Sequence, residues 1–436
     1  MHTAPKRVIN GWAMYDWANS VYNLVITTTF FPIYFTEITR APPMNGTVHI
    51  AGRYFVNTAL YNYALAAAYL IVAILMPILT AIADARGNKK KYMRFFCYMG
   101  AISCSALFFF TGKNISYGVI CMMMAAIGFY SSLVFYNSYL PVIASVEDRD
   151  RISARGFSFG YIGSVIMQLV GFCLVLFQKE IPFFSSEADA VRATFLLVGI
   201  WWIGFAQIPF RRLPNPKPAN EDSFRINVFS SGFIELKKVF AQVKKMKVMR
   251  RFLAAFFFYN MGVQTVMLVA SNFGSKVLNL PSTNLIITVV LIQLVAIPGA
   301  IFISRLSMRY GNLKILMAVV LLWVGLCVYG YFMQTATDFY ILAMIVGLVM
   351  GGIQSLSRST FSKLMPETKD TASFFSFYDI TEKIAIIIGL STFALIEEKI
   401  NMRSSVFSLM IFFSIGFLFL AYAFKGQKNE PINYTL

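Results

Sequence analysis

The chain has 436 residues, of which 58% are hydrophobic, 16% aromatic and only 13% charged, with a mean hydropathy of +0.64. A water-soluble domain carries about a quarter of its residues as Asp, Glu, Lys or Arg, so this composition excludes an ordinary soluble protein and points to a bilayer as the solvent. The net charge of +18 would mark a nucleic-acid surface only if the basic residues clustered on a soluble fold. Here they fall between apolar runs, and no nucleic-acid partner is expected.

A spanning helix needs about 20 apolar residues, and twelve runs meet that length. The first six lie near residues 14–37, 57–82, 92–112, 116–140, 155–178 and 191–209. The second six lie near 251–275, 284–304, 314–334, 338–362, 372–396 and 404–424. Lys6 and Arg7 precede the first run, which has no small-residue cleavage site and reads as a retained helix. The reading is an all-α polytopic membrane protein with two six-helix bundles, residues 1–210 and 251–436, joined by a basic linker over 211–250. With both termini in the cytoplasm, most Lys and Arg residues fall on inner segments, as the positive-inside rule requires. In the linker, Leu236, Val239, Phe240, Val243 and Met246 recur at helical spacing among lysines. That pattern suits either a solvated connection or a basic amphipathic helix on anionic membrane lipids.

The two halves share landmarks in the same order. Asn19 with Asn23 matches Asn260 with Gln264, Gly87 matches Gly311, Pro141 matches Pro366, and Phe157-Ser158-Phe159 matches Phe375-Ser376-Phe377. A six-plus-six duplication around a central cavity follows.

Chemistry is sought at polar residues inside spans, where a charge costs roughly 2.5–3.5 kcal/mol on insertion scales. Asp379, Glu382 and Lys383 lie about 12–18 Å into the eleventh helix. Asp379 and Lys383 are four apart and can pair, either to lock packing or to open as the halves rock. The amide pairs Asn19/Asn23 and Asn260/Gln264 present donors and acceptors on one face each. They suit a polar or zwitterionic solute, or serve as interhelical glue. Tyr136 with Asn137, and Gln354 with Arg358, fill the other symmetry-related walls, and Arg358 is a candidate for a solute carboxylate. Asp16, about one turn inside, is a candidate gate or proton group, or an interfacial acid in an aromatic belt.

The loop Asp84-Ala85-Arg86-Gly87-Asn88-Lys89-Lys90-Lys91 resembles the signature loop between helices 2 and 3 of the major facilitator superfamily. Gly87 permits a tight turn, and Asp84 can pair with Arg86 or a neighbouring helix to close an inner gate, with Lys90 among the following basic residues. Thr80 and Ala85 depart from that signature, and the second copy carries Met308 at the acid position. The strings WAMYDWANSVYN, FYNSYLP, SARGFSFGYIGS, YNMGVQT, GGIQSLSRSTFSKLMP and FFSFYDITEK are similar to the vacuolar-effluxer-like family of major facilitators over essentially the whole chain. Met261 stands where that family leads one to expect an acid.

The resemblance implies a secondary transporter working by alternating access in a bacterial inner (plasma) membrane. Its implied cargo is a small-molecule substrate, with amino acids the first class and a lipid-like or xenobiotic amphiphile the alternative. Protons are the candidate coupling ion. Five cysteines inside apolar runs, two peripheral histidines and the lack of a phosphate loop point to no cofactor, no metal and no enzyme activity.

Overall fold

The computed structural model describes residues 2–40, 42, 44–50, 52–215 and 228–429. Within them the chain runs as a series of long helices, each long enough to close its own backbone hydrogen bonds, as lipid requires. The first is continuous through α1 (Lys6–Val21), a wide π-segment (Tyr22–Phe30) and α2 (Phe31–Arg40). After a hairpin of β1 (Thr47–Ile50) and β2 (Arg53–Val56) come α3 (Asn57–Arg86), α4 (Lys89–Ala106), α5 (Ile115–Asn137), the short α6 (Leu140–Ile143), α7 (Arg149–Leu176) and α8 (Glu187–Arg212). The second half holds α9 (Val228–Lys245), α10 (Lys247–Leu278), α11 (Ser282–Tyr310), α12 (Asn312–Phe332), α13 (Ala336–Leu364), α14 (Thr371–Lys399) and α15 (Met402–Asn429).

Ten of these helices are long and apolar enough to cross a membrane. The other long segments are more polar: the first, broken by its π-segment, the basic α9, and α14, which carries Asp379, Glu382 and Lys383. Helix ends run past the apolar runs because capping, not hydropathy, stops them. Ser186 with Asp189 and Thr335 with Asp338 form capping boxes at the starts of α8 and α13. Gly87 ends α3 in the left-handed region at φ 63°.

The segment before α3 forms the hairpin, with Thr47 opposite Val56 and Ile50 opposite Arg53. It holds the only strands among the described residues. The π-segment has a local cause. Val25 to Thr29 are five consecutive β-branched residues, and Pro32 has no N–H to return to Thr28 and crowds its carbonyl. The Thr28 and Thr29 hydroxyls donate to the Asn23 and Leu24 carbonyls at 2.8 and 2.9 Å.

Helices α1, α3, α4, α5, α7 and α8 pack among themselves, and so do α10 to α15. The two groups meet chiefly through α3 on α14 and α7 on α11. Outward faces are apolar: Leu70, Ile102, Ile120, Ile200, Leu321 and Leu418 are all more than half exposed, as lipid contact allows. The face bearing the start of α1 also bears the end of α15, here called the terminal face. α9 lies across α3 and α14. Of its apolar stripe, Val239 and Val243 are buried against protein, while Phe240 is exposed. The Leu236 side chain lies outside the described set.

Apolar side chains gain nothing from burial against one another in lipid, so packing relies on close approach. Gly100 and Gly128 bring α4 and α5 into backbone contact, and a Cβ on Gly128 would meet the Gly100 Cα and N at 2.5 Å. Gly325 in α12 has nothing within 4 Å of such an atom. Gly128→Ala is therefore expected to destabilise the protein by about 1–3 kcal/mol. Gly325→Ala should be neutral or up to about 1 kcal/mol stabilising. Thermal unfolding in detergent checks this; equal melting temperatures would refute the close-approach account.

Candidate functional site

The terminal face is closed by polar contacts between the two helix groups. Asp84, near the end of α3, pairs with Lys89 at 2.7 Å, both almost fully buried. Its carboxylate accepts the Ser373 amide at 2.8 Å, the Ser373 hydroxyl at 2.9 Å and the Ala372 amide at 3.3 Å. It thus caps the N-terminus of α14, where unpaired amides and the helix dipole favour an anion. Lys89 donates onward to Thr371 at 2.5 Å, and Thr371 donates to the Ser138 carbonyl. Of the other loop residues singled out, Arg86 is exposed, Gly87 makes the left-handed turn, and Lys90 bonds the Leu213 carbonyl at 2.5 Å on its own side of the molecule. Lys89, not Arg86, is the ion-pair partner.

A second closure forms around Asp150, which the sequence places in a run of charges. Asp150 on α7 accepts from Lys363 at 2.5 Å, Asn312 at 2.7 Å and Ser307 at 3.1 Å, groups on α13, α12 and α11. Beside it, Arg149 donates to the Ser362 carbonyl at 2.6 Å.

Above these closures lies a cavity lined from both groups, by Asp16, Asn19, Asn23 and Asn137 on one side and Asn260, Gln264, Gln354, Arg358, Asp379, Glu382 and Lys383 on the other. Its wall continues away from the terminal face through Thr27, Thr28, Met267 and Val289. Tyr136 stands behind the wall, stacked on Trp12 at 4.5 Å and donating to Asp16 at 2.7 Å.

At the terminal end of the cavity, Arg358 of α13 reaches Asp16 of α1 at 3.3 Å, both buried. All five of its N–H donors meet protein acceptors. Nε bonds the Ser153 hydroxyl, one terminal nitrogen bonds Asp16 and Asn137, and the other bonds Asp16 and the Ser153 carbonyl. The guanidinium also lies 4.2 Å from the Phe157 ring and 4.8 Å from Trp12, which adds cation–π attraction. Gly156 permits the approach, since a Cβ there would meet Asp16 Oδ2 at 2.5 Å.

On α14, Lys383 lies between Asp379 at 3.1 Å and Glu382 at 3.6 Å. Its ammonium also sits 4.3 Å from the Tyr130 ring and 5.8 Å from Tyr69, whose hydroxyls bond each other at 2.9 Å. Gln264 joins the cluster by donating to Glu382 at 3.1 Å, and it also approaches Asn260 at 3.4 Å. Gln354 accepts from Tyr161 at 2.8 Å across the groups. Tyr69, Tyr130 and Tyr161 were not singled out, because tyrosines in apolar runs carry no spacing signal.

Comparison with known proteins agrees with this geometry. The family described as vacuole effluxer Atg22 like matches residues 4–430. The uncharacterized MFS-type transporter YxiO of Bacillus subtilis is 34% identical, covering 97% of this chain and 96% of its own. Autophagy-related protein 22 of Saccharomyces cerevisiae is 26% identical over 98% of this chain and 94% of its own. Among solved structures, the human organic anion transporter MFSD10 superposes with a TM-score of 0.73 at 12% identity, over 95% of this chain and 99% of that one. The fucose:proton symporter FucP of E. coli gives 0.69 at 14%, over 96% and 97%. Ten span-length helices among the described residues, a cavity between two helix groups and a match along nearly the whole length place the chain in the Atg22-like vacuole effluxer family, as a multi-pass transporter of the major facilitator superfamily.

Proposed function

We propose that the protein is a secondary active transporter of small polar solutes, with amino acids the leading class. It alternates access by rocking residues 1–210 against 251–436, with 211–250 as the connection. The observation that carries this reading is the cavity between the helix groups, closed at the terminal face by the Asp84 and Asp150 clusters and lined by symmetry-related amides and paired charges. Alternating access needs such a site, reached from one face at a time. The terminal face is cytoplasmic in this reading, because the basic residues concentrate there, and a bacterial inner membrane is the corresponding location. Asn19, Asn23, Asn260 and Gln264 contact the solute. Asp379, Glu382 and Lys383 respond to it or to a proton, and Asp16 with Arg358 closes the cavity floor. A second reading, export of an amphiphile, draws support from the apolar wall of Met267, Val289 and Ile292.

Uptake into proteoliposomes of a panel of labelled amino acids, with and without a proton gradient, tests the assignment. Saturable flux of at least one amino acid is expected. Absence of all such flux, with transport of a lysolipid or dye, would transfer the assignment to the second reading. Asp379→Asn and Glu382→Gln are expected to abolish gradient-driven accumulation, and retention of it by both variants would make the α14 cluster structural.

The gate makes its own demand. Asp84→Ala removes the acceptor of the α14 amides and strands buried Lys89, a loss of about 3–5 kcal/mol. Hydrogen exchange at Ala372 and Ser373 should accelerate as the terminal face opens. Exchange at the wild-type rate would show that Asp84 does not hold the closure.

A further inference from the structure

The charges lining the cavity do not balance, and the imbalance selects among solutes. Asp16, Asp379 and Glu382 oppose Arg358 and Lys383, so in their ordinary ionised forms the wall carries one negative charge in excess. Both cations are occupied. Each of the five Arg358 donors already has a protein acceptor, and Lys383 is enclosed between two carboxylates and the Tyr130 ring, its side chain 3% exposed. Among the described residues, no other Lys or Arg lines the cavity.

The acceptors are in the opposite condition. Asp379 Oδ2 is buried and has no hydrogen-bond partner, although its other oxygen pairs with Lys383. Glu382 keeps a quarter of its side chain exposed; one oxygen accepts from Gln264, and the other lies 3.6 Å from Lys383, beyond a normal hydrogen bond. A buried carboxylate oxygen without a donor is costly, and a charged donor arriving there makes a bond roughly twice as strong as a neutral one. Phe256, Tyr259 and Tyr378 line the same wall, and aromatic faces attract cations. For a solute carboxylate the cavity offers only uncharged donors, amides and hydroxyls, among them the unpartnered Nδ2 groups of Asn19 and Asn260.

We infer that the cavity recognises its solute through a protonated amine with N–H donors, seated against Asp379 Oδ2 and Glu382. The carboxylate of an amino acid contributes little to selection. The inference rests on the transport reading above and narrows it: decarboxylated amines should compete with amino acids, whereas deaminated acids and quaternary ammonium ions should not. A quaternary cation satisfies the charge and the rings but brings no hydrogen to Asp379.

L-Leucine isolates the question, because its amine and carboxylate are its only charges. Purified full-length protein is tested by thermal shift with isoamylamine, N,N,N-trimethylisoamylammonium and 4-methylpentanoate. The same compounds compete against labelled amino-acid uptake in proteoliposomes. Isoamylamine is expected to act at concentrations at least about tenfold below either of the other two. An acid or a quaternary ion as potent as the amine would overturn the inference, as would an amine that neither stabilises nor competes. Failure of every amino acid to be carried would instead remove the amino-acid reading, and the thermal shift would still decide the amine seat. Glu382→Gln and Asp379→Asn should each erase the amine preference by about tenfold. If either fails to fold, the comparison of the three compounds on the wild-type protein still decides.

Discussion

A charge withdrawn from water must find an opposite charge and hydrogen bonds, or it destabilises the protein by several kcal/mol. In this molecule that requirement is met largely between the two helix groups. Arg358 of α13 is satisfied by Asp16, Asn137 and Ser153 of the other group. Asp84 is satisfied by its neighbour Lys89 and by α14, and Asp150 by α11, α12 and α13. Lys383 has its carboxylates on its own helix but its aromatic contacts on α3 and α5. A slight separation of the groups would leave these residues dry and unpaired, whereas a full separation would return them to water. Intermediate openings are therefore the costly ones, a cost that favours discrete arrangements of two packed groups over a continuum.

The two main closures occupy related positions but distribute their charge differently. At the first, the acid sits at the end of α3 and faces the amide end of α14. Met308 is the counterpart of Asp84 in the second half, and it is exposed. The acid at that contact comes from the other partner: Asp150, at the start of α7, receives the hydroxyl of Ser307, one residue before Met308. An acid mediates the contact at both places, but the two acids are carried by different partners: the end of α3 at one and the start of α7 at the other. An anion near a helix N-terminus is stabilised by the same dipole whichever helix supplies it, so either partner can carry the acid.

This difference marks where sequence reasoning reaches its limit. Apolar run length was enough to locate the helices, and intramembrane polarity was enough to bring out Asp16, Arg358, Asp379, Glu382 and Lys383, because each is costly in lipid unless partnered. Asp150 carried no such signal. It stands in the run Glu147-Asp148-Arg149-Asp150-Arg151, which reads as a solvated loop, and only the fold brings it beneath Lys363. Lys89 and Lys90 were indistinguishable as neighbours in a basic loop, since the direction each takes depends on where α4 begins. Tyr69 and Tyr130 read as span residues, and their pairing beneath Lys383 requires α3, α5 and α14 to meet.

The amide pairs show the same divergence inside the cavity. Asn19 and Asn260 occupy equivalent places, yet the helices that carry them differ. Beyond Asn19 the backbone widens into the π-segment, and the Thr28 and Thr29 hydroxyls take up the Asn23 and Leu24 carbonyls. α10 continues as a regular helix through Gln264, which turns its amide toward Glu382. Above the Asp16–Arg358 pair, one wall thus has an altered backbone and neutral groups, and the other has regular helices bearing the α14 charge cluster. With Asp16 and Arg358 paired at the cavity floor, a solute between the walls meets hydrogen-bonding groups on both sides and unbalanced charge only at the α14 cluster. Among the described residues, the α14 cluster is therefore the one place in the cavity where charge is left to orient a polar group, and the opposite wall, with its threonines and widened turn, offers only uncharged hydrogen-bonding groups.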